Sequence, residues 1–405
     1  MKFKNTTYAF WVSLILLFIL SPVTFAQETI KSNPQSILEV QQYERSIHIM
    51  AMLIVGFGFL MVFVKKYGRS ALTATFLLVS ISIPVYFLIS SLEIFGIKKP
   101  EIETLILSEF GAASLLIAAG ALLGRLKMHQ YIVLGLLFIP FYKINEWIVV
   151  DNGLKIMSSG IADTGGSIVI HAFGAIFGVT AAFAFRLKSE LNIPIESDAS
   201  SDRFSMVGSM VLWLFWPSFC AALVPVEAIP YTVVNVFLAL CGSTLLTYIL
   251  SVRIRGKINI ADIANAALAG GVAIGSTCDH ASHIAAFIVG GIAGIISTAG
   301  FAMLQARQQK ALGTIDTCGV SNLHGLPGLF GGLAAIPLIG GLNIGSQLIG
   351  ILLTIAIALI SGTITGKVFA IFGRRKNIYE DYEEFEGEVQ TIELKPALEP
   401  EYSKN

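Results

Sequence analysis

From Ser46 onward the chain runs through one apolar stretch after another, each long enough to cross a hydrocarbon core of about 30 Å, with short polar breaks between them. Eleven such stretches are read, at 46–64, 71–95, 102–123, 131–150, 164–185, 204–224, 230–251, 258–276, 282–303, 317–339 and 345–371. Composition agrees: 55% of the residues are hydrophobic, only 13% are charged and the mean hydropathy is +0.75, where a soluble chain carries about a quarter of its residues as charges. The expected fold is an all-α integral membrane protein, because a helix satisfies its own backbone where no water can. Lys+Arg and Asp+Glu balance at 27 each, so there is no basic surplus for a nucleic-acid partner. The four cysteines, Cys220, Cys241, Cys278 and Cys318, form no CxxC pair and read as small buried hydrophobes.

The breaks supply an orientation. Lys65, Lys66 and Arg69 follow the first stretch, Arg125 and Lys127 the third, and Arg186, Lys188 and Arg203 the fifth. Arg253, Arg255 and Lys257 follow the seventh, Arg307 and Lys310 the ninth, and Arg374, Arg375 and Lys376 the eleventh; the alternate breaks hold few basic residues. The positive-inside rule then puts the N-terminus outside and the C-terminus in the cytoplasm. Residues 1–26 read as a cleavable signal peptide, with Lys2 and Lys4 before a short apolar run and a small-residue end at Ala26, which makes 27–45 a periplasmic N-terminus and the inner (plasma) membrane the expected location. Residues 373–405 are an acidic cytoplasmic tail, which reads as a solvated extension or as a segment that docks on the basic loops or a partner.

Two segments repeat each other. Asp163-Thr-Gly-Gly-Ser-Ile-Val-Ile-His171 and Asp316-Thr-Cys-Gly-Val-Ser-Asn-Leu-His324 both start Asp-Thr-x-Gly and place a histidine eight residues after the aspartate. They head the fifth and tenth stretches, so 46–185 and 204–339 form two five-helix blocks, with 345–371 as a final helix. Five crossings per block make the blocks run in opposite directions, the inverted-repeat plan whose site lies at the midplane between the halves. Eight residues rise about 12 Å, so each aspartate sits near a helix start and each histidine inside the bilayer, where an ionisable group faces a pore or a partner helix. The aspartates themselves read as helix caps, a carboxylate before a helix satisfying free N–H groups. Asp279, His280 and His283 form no recognised metal pattern, and no nucleophile and base stand at helical spacing, so neither a metal centre, a cofactor nor an enzyme is expected.

These two segments resemble the fifth- and tenth-helix signatures of the ammonium transporter and Rhesus (Amt/Rh) family, Rhesus branch. Asn265-Ala-Ala-Leu-Ala-Gly-Gly-Val-Ala-Ile-Gly275, Trp216-Pro-Ser-Phe219 and Asn145-Glu146 look Rhesus-like as well, in the right order along nearly the whole membrane portion. The resemblance implies a homotrimer with one narrow pore per protomer, conducting ammonium or ammonia. Methylammonium and carbon dioxide are further candidate substrates, and a cytosolic regulator a candidate partner. It implies that Phe110 and Phe219 are two stacked phenylalanines gating the outer entrance, that Glu146 is a vestibule acid concentrating cations, that Asp163 is the buried aspartate needed for conduction and that His171 is the first pore histidine.

At the second histidine the chain departs from the pattern. The family signature puts it five residues after the aspartate, where Ser321 stands, while the internal repeat nominates His324. Matching Gly319, Val320, Asn322 and Leu323 without a gap favours Ser321, which implies a pore with one histidine facing a serine and a weakened or absent proton relay. The alternatives to an ammonium/ammonia channel are a CO2 or gas channel, a non-conducting Rhesus-like sensor or structural protein, and an unrelated ion-coupled transporter.

Overall fold

In the computed structural model residues 34–96 and 98–386 are described; the expected signal segment lies outside them. Of these, residues 34–40 belong to a small unit of their own and the residues from Gln41 to the other. All regular structure among the described residues is helical. Eleven helices follow in chain order: α1 (Leu38–Phe63), α2 (Gly68–Ser90), α3 (Glu101–Leu122), α4 (Met128–Val149), α5 (Ser167–Ala184), α6 (Ala199–Cys220), α7 (Val226–Arg255), α8 (Ile260–Ile274), α9 (His283–Leu312), α10 (321–338) and α11 (Ile344–Phe372). Eight of them are long and apolar enough to span a bilayer by length and composition. The chain is a multi-pass membrane protein.

Three of the eleven depart from a continuous apolar span, for physical reasons. α6 starts in the polar segment Ala199–Arg203, capped by the Asp198 side chain, which accepts from the Ser200 and Ser201 amides at 2.9 Å each. α8, expected as one span over 258–276, is a shorter apolar helix than the eight, with a turn at Ala267–Leu268 between Ile260–Ala266 and Ala269–Ile274. The second piece is buried throughout, so protein, and not lipid, surrounds the irregular backbone, as membrane depth requires. α10 opens with the π-helical turns Ser321–Gly325 before its α-helical part.

α3 is the central helix: 94% of its apolar window is buried, against 39% for α2, α7 and α11. Its small residues, Gly111-Ala-Ala-Ser114 and Ala118-Ala-Gly-Ala121, let neighbours close in on all sides. α7 lies along α9, α5 along α11 and α2 along α4. Pro217 inside α6 removes one backbone donor just before the helix ends at Cys220, and the neighbouring Trp216 and Phe219 are both buried.

The acidic tail is docked along its described length. Asp381 accepts from the Arg69 and Ser70 amides at 2.9 Å each, capping the start of α2, and Glu384 accepts from the Met128 amide at 3.1 Å at the start of α4. Arg375, 4% exposed, lies 3.8 Å from Glu383 and 3.7 Å from Glu384. The Tyr379 hydroxyl meets Thr317 Oγ1 at 3.3 Å, next to Asp316. Of the two sequence readings of this segment, docking on the basic loops is the one the structure shows for residues up to 386.

A paired-histidine lumen

The Asp-Thr-x-Gly repeat folds into the same device twice. In each copy the aspartate carbonyl accepts from the glycine amide three residues on, Gly166 at 2.9 Å and Gly319 at 3.1 Å. Those glycines sit at φ +74° and +65°, a left-handed conformation that side chains disfavour, which is why the motif needs glycine there. The turn brings each carboxylate back over the helix it precedes. Asp163 accepts from the Ile168 amide at 3.0 Å and the Val169 amide at 2.8 Å, and Ser276 Oγ donates to it at 2.6 Å. Asp316 accepts from the Val320 and Ser321 amides, both at 2.9 Å, and from Ser321 Oγ at 2.8 Å. Both aspartates therefore act as the helix caps their sequence position predicts, tying up N–H groups that have no partner in the first turn.

Beyond each cap the backbone widens into a π-helical stretch, Ser167–Ala172 in α5 and Ser321–Gly325 in α10, and each stretch holds the histidine. Such widened turns recur at functional sites because they turn one side chain off the regular helical face. Here they bring His171 Nδ1 to 3.2 Å from His324 Nδ1, with the rings nearly parallel at 9° and 5.2 Å between centroids. Both rings are buried, at 2% and 4% exposure.

The expectation that Ser321 faces His171 is thus overturned. Ser321 spends its hydroxyl on Asp316, while the duplicated spacing, aspartate plus eight, carries His324 to the place opposite His171. A gapless sequence match follows residue order; the π turn moves the histidine around the axis, which residue order does not record. With two imidazoles in contact, the reason for expecting a weakened proton relay is gone.

An aromatic file extends on both sides of the pair. Phe110 and Phe219, both buried, meet at 4.5 Å between centroids, tilted by 44° and not parallel. Phe219 lies 6.4 Å from His171, and Phe57 lies 6.4 Å from His324 at the other end. Next to His324 a narrow cavity of about 20 Å³, room for roughly one water-sized molecule, is walled by Phe57, Leu116, Ile117 and Val320 with Asn265 as a polar exception. The His171 Nε2 atom is buried without a hydrogen-bond partner.

The sequence profile of the ammonium transporter family matches residues 6–388. The chain belongs to the ammonium transporter family. It is 40% identical over 304 residues to ammonium transporter Rh type A of Rattus norvegicus, covering 73% of this chain and 66% of that relative. Against ammonium transporter Rh type A of Bos taurus it is 36% identical over 358 residues, 85% of this chain and 82% of the relative. The fold superposes on the solved structure of Nitrosomonas europaea Rh50, described as a channel of the Rhesus protein family, with a TM-score of 0.85 and 50% identity over 88% of this chain and 94% of that one. Candida albicans Mep2, with a TM-score of 0.68 and 16% identity over 81% of this chain, shares the fold.

For an ammonium transporter of this kind, two placements were not readable in the sequence. Trp216 stacks on His171, 5.5 Å between centroids at 24°, and its indole N–H is buried without a partner. Gly271 makes room for it, since a Cβ there would meet the indole ring at 2.5 Å. The Trp-Pro-Ser-Phe motif is visible in the sequence; which histidine its tryptophan covers is not. Glu146 is the second case. It is buried, Lys143 Nζ lies 2.7 Å from its Oε2, and Tyr86 donates to the same oxygen at 2.6 Å. The i,i+3 spacing places Lys143 on the same helical face. His280 and His283 diverge: His280 Nδ1 lies 2.9 Å from Asp279 Oδ1, while His283 Nδ1 meets Asn235 Oδ1 at 2.7 Å.

Proposed function

We propose that this ammonium transporter takes up NH4+ at the Phe110/Phe219 end, strips one proton there and passes NH3 along the histidine pair. The observation that carries this reading is the Nδ1 to Nδ1 contact of 3.2 Å between His171 and His324. At that distance only one proton fits between the rings, so one imidazole donates and the other accepts. In the neutral pair the donor ring then turns a lone pair on Nε2 toward the lumen and the acceptor ring an Nε2–H. Ammonia both donates and accepts hydrogen bonds and suits the two. An ion would have to shed its hydration shell to fit an apolar file walled by Phe57, Leu116 and Ile117, at a cost of many kcal/mol, so the neutral species is favoured.

The basic residues of alternate breaks support an N-out, C-in orientation, with Phe110 and Phe219 toward the outside and the docked tail in the cytoplasm of the inner membrane. The Rhesus resemblance supports a homotrimer. The intact gate rings and histidine pair favour conduction over a sensor or structural role, because a closed pore needs neither. The test is flux in proteoliposomes: an ammonium pulse is expected to produce a fast lumenal pH rise without current, and an ammonium-dependent current accompanying transport would overturn NH3 as the permeating species.

A further inference from the structure

Glu109 on α3 immediately precedes Phe110 and is 0% exposed. Its Oε1 accepts from Ser46 Oγ at 2.6 Å, and its Oε2 is buried with no hydrogen-bond partner. Every other buried acid described above is held by a cation or by several N–H and O–H donors, as with Glu146, Asp163 and Asp316. Glu109 has one hydroxyl, and no lysine, arginine or histidine reaches it among the described residues. The nearby His48 turns to Ser218, with Nδ1 3.0 Å from its Oγ, and stacks on Phe215. A carboxylate at such depth is costly and, in a transporter, marks the path of an ion or a proton.

Its place in the fold fits that role. On α1 the buried residues Ser46, Ile49, Leu53 and Phe57 share one face at helical spacing, and Phe57 borders His324. On α3, Ile117 lines the cavity beside His324, and Glu109 stands eight residues, about 12 Å, toward the Phe110 end. Ser46 and Glu109 thus lie in the same seam between α1 and α3 that walls the lumen, level with the aromatic gate.

We propose that Glu109 is the group that takes the proton from NH4+ at the gate. An N–H bond of the ammonium ion breaks, its electron pair stays on nitrogen, and the proton forms an O–H bond with the free Oε2; Ser46 holds Oε1 throughout. Ammonia moves on to His171, and the carboxylic acid returns its proton to water on the side from which the ion came, so no net charge crosses. This inference rests on the NH3 reading above, which it supplies with a proton acceptor.

The test uses full-length Glu109→Gln and Glu109→Asp in proteoliposomes beside the unaltered protein, with ammonium pulses across a range of pH. Glutamine keeps the size and the bond from Ser46 and cannot take a proton. In acidic medium its flux is expected to fall roughly a hundredfold or more, the usual weight of a lost general base. Near the pKa of ammonium, where solution already supplies NH3, its flux is expected to converge on that of the unaltered protein. Aspartate, which keeps the carboxylate, is expected to retain the original pH profile. Full flux in Glu109→Gln under acidic conditions overturns the proposal, and so does a deficit equal at every pH, which marks a structural defect. Should glutamine fail to fold, a Glu109→Asp profile that falls with acidity as glutamine was expected to would overturn it. If the unaltered protein carries no ammonium flux above empty liposomes, it is the NH3 reading that fails.

Discussion

The exchange of roles between Ser321 and His324 gives the sharpest test, because sequence pattern and tertiary geometry name different residues. Consider His324→Ala and Ser321→Ala side by side. The first removes the ring 3.2 Å from His171 Nδ1 and leaves that nitrogen buried with no partner. An unsatisfied buried group costs about 1–3 kcal/mol, and a barrier higher by that amount slows permeation by roughly 5- to 150-fold. The second removes only the hydroxyl that donates to Asp316 Oδ2 at 2.8 Å. Asp316 keeps the Val320 and Ser321 amides, at 2.9 Å each. The loss is then one hydrogen bond to a charged acceptor, about 1.5–3 kcal/mol of stability, and it falls on the cap and not on the lumen. Stopped-flow flux in proteoliposomes and thermal melting in detergent separate the two effects. Both variants are expected to melt earlier by a similar amount, and only His324→Ala to lose flux, Ser321→Ala conducting as the unaltered protein does. The reasoning is refuted if Ser321→Ala loses flux at an unchanged midpoint, or if His324→Ala conducts normally.

The remaining expectations follow from contacts already described. Glu146→Gln strands Lys143 as a buried cation and is expected to destabilise the protein by about 3–5 kcal/mol, while Lys143→Met combined with Glu146→Gln recovers most of that in thermal melts; flux surviving in the double variant would confirm that the pair is not a cation trap. Asp163→Asn keeps one acceptor oxygen for three donors, so a loss of about 1–2 kcal/mol in chemical unfolding is expected. Asp381→Ala uncaps α2 at a cost of about 1 kcal/mol, read as faster limited proteolysis after Phe372. Burial pushes the Tyr379 phenol above its ordinary value. The docked tail is therefore held with the phenol neutral and is released as pH climbs through the raised value; proteolysis against pH should show that alkaline step and Tyr379→Phe should abolish it.

Much of this protein was legible in one dimension, and the residues show why. Membrane spans are long, contiguous and nearly uniform in chemistry, so the eleven helices lie where apolar runs predict. The Asp-Thr-x-Gly repeat was readable as a pair of caps, since a cap joins residues within six positions of each other and needs no distant partner. α8 also lies within its predicted run, and what composition does not record is the turn at Ala267–Leu268 and the packing of Gly271 against Trp216. Glu146 is visible in the sequence as an acid, but that Lys143, one turn away in the same helix, pairs with it is seen only in the structure.

Two segments with an aspartate, a glycine and a histidine at equal spacing determined by themselves that two similar helices would carry two histidines into the membrane. Which atom faces His171 was a tertiary decision. The π turns of α5 and α10 rotate the histidines off the regular helical faces, and the approach of the two helices brings the rings together while the cap consumes Ser321. The same division holds for Glu109: the sequence records an acid in an apolar run, but its lack of a counter-charge beside the gate exists only once α1 and α3 have packed, because a missing partner is a property of the whole neighbourhood and not of any residue in it.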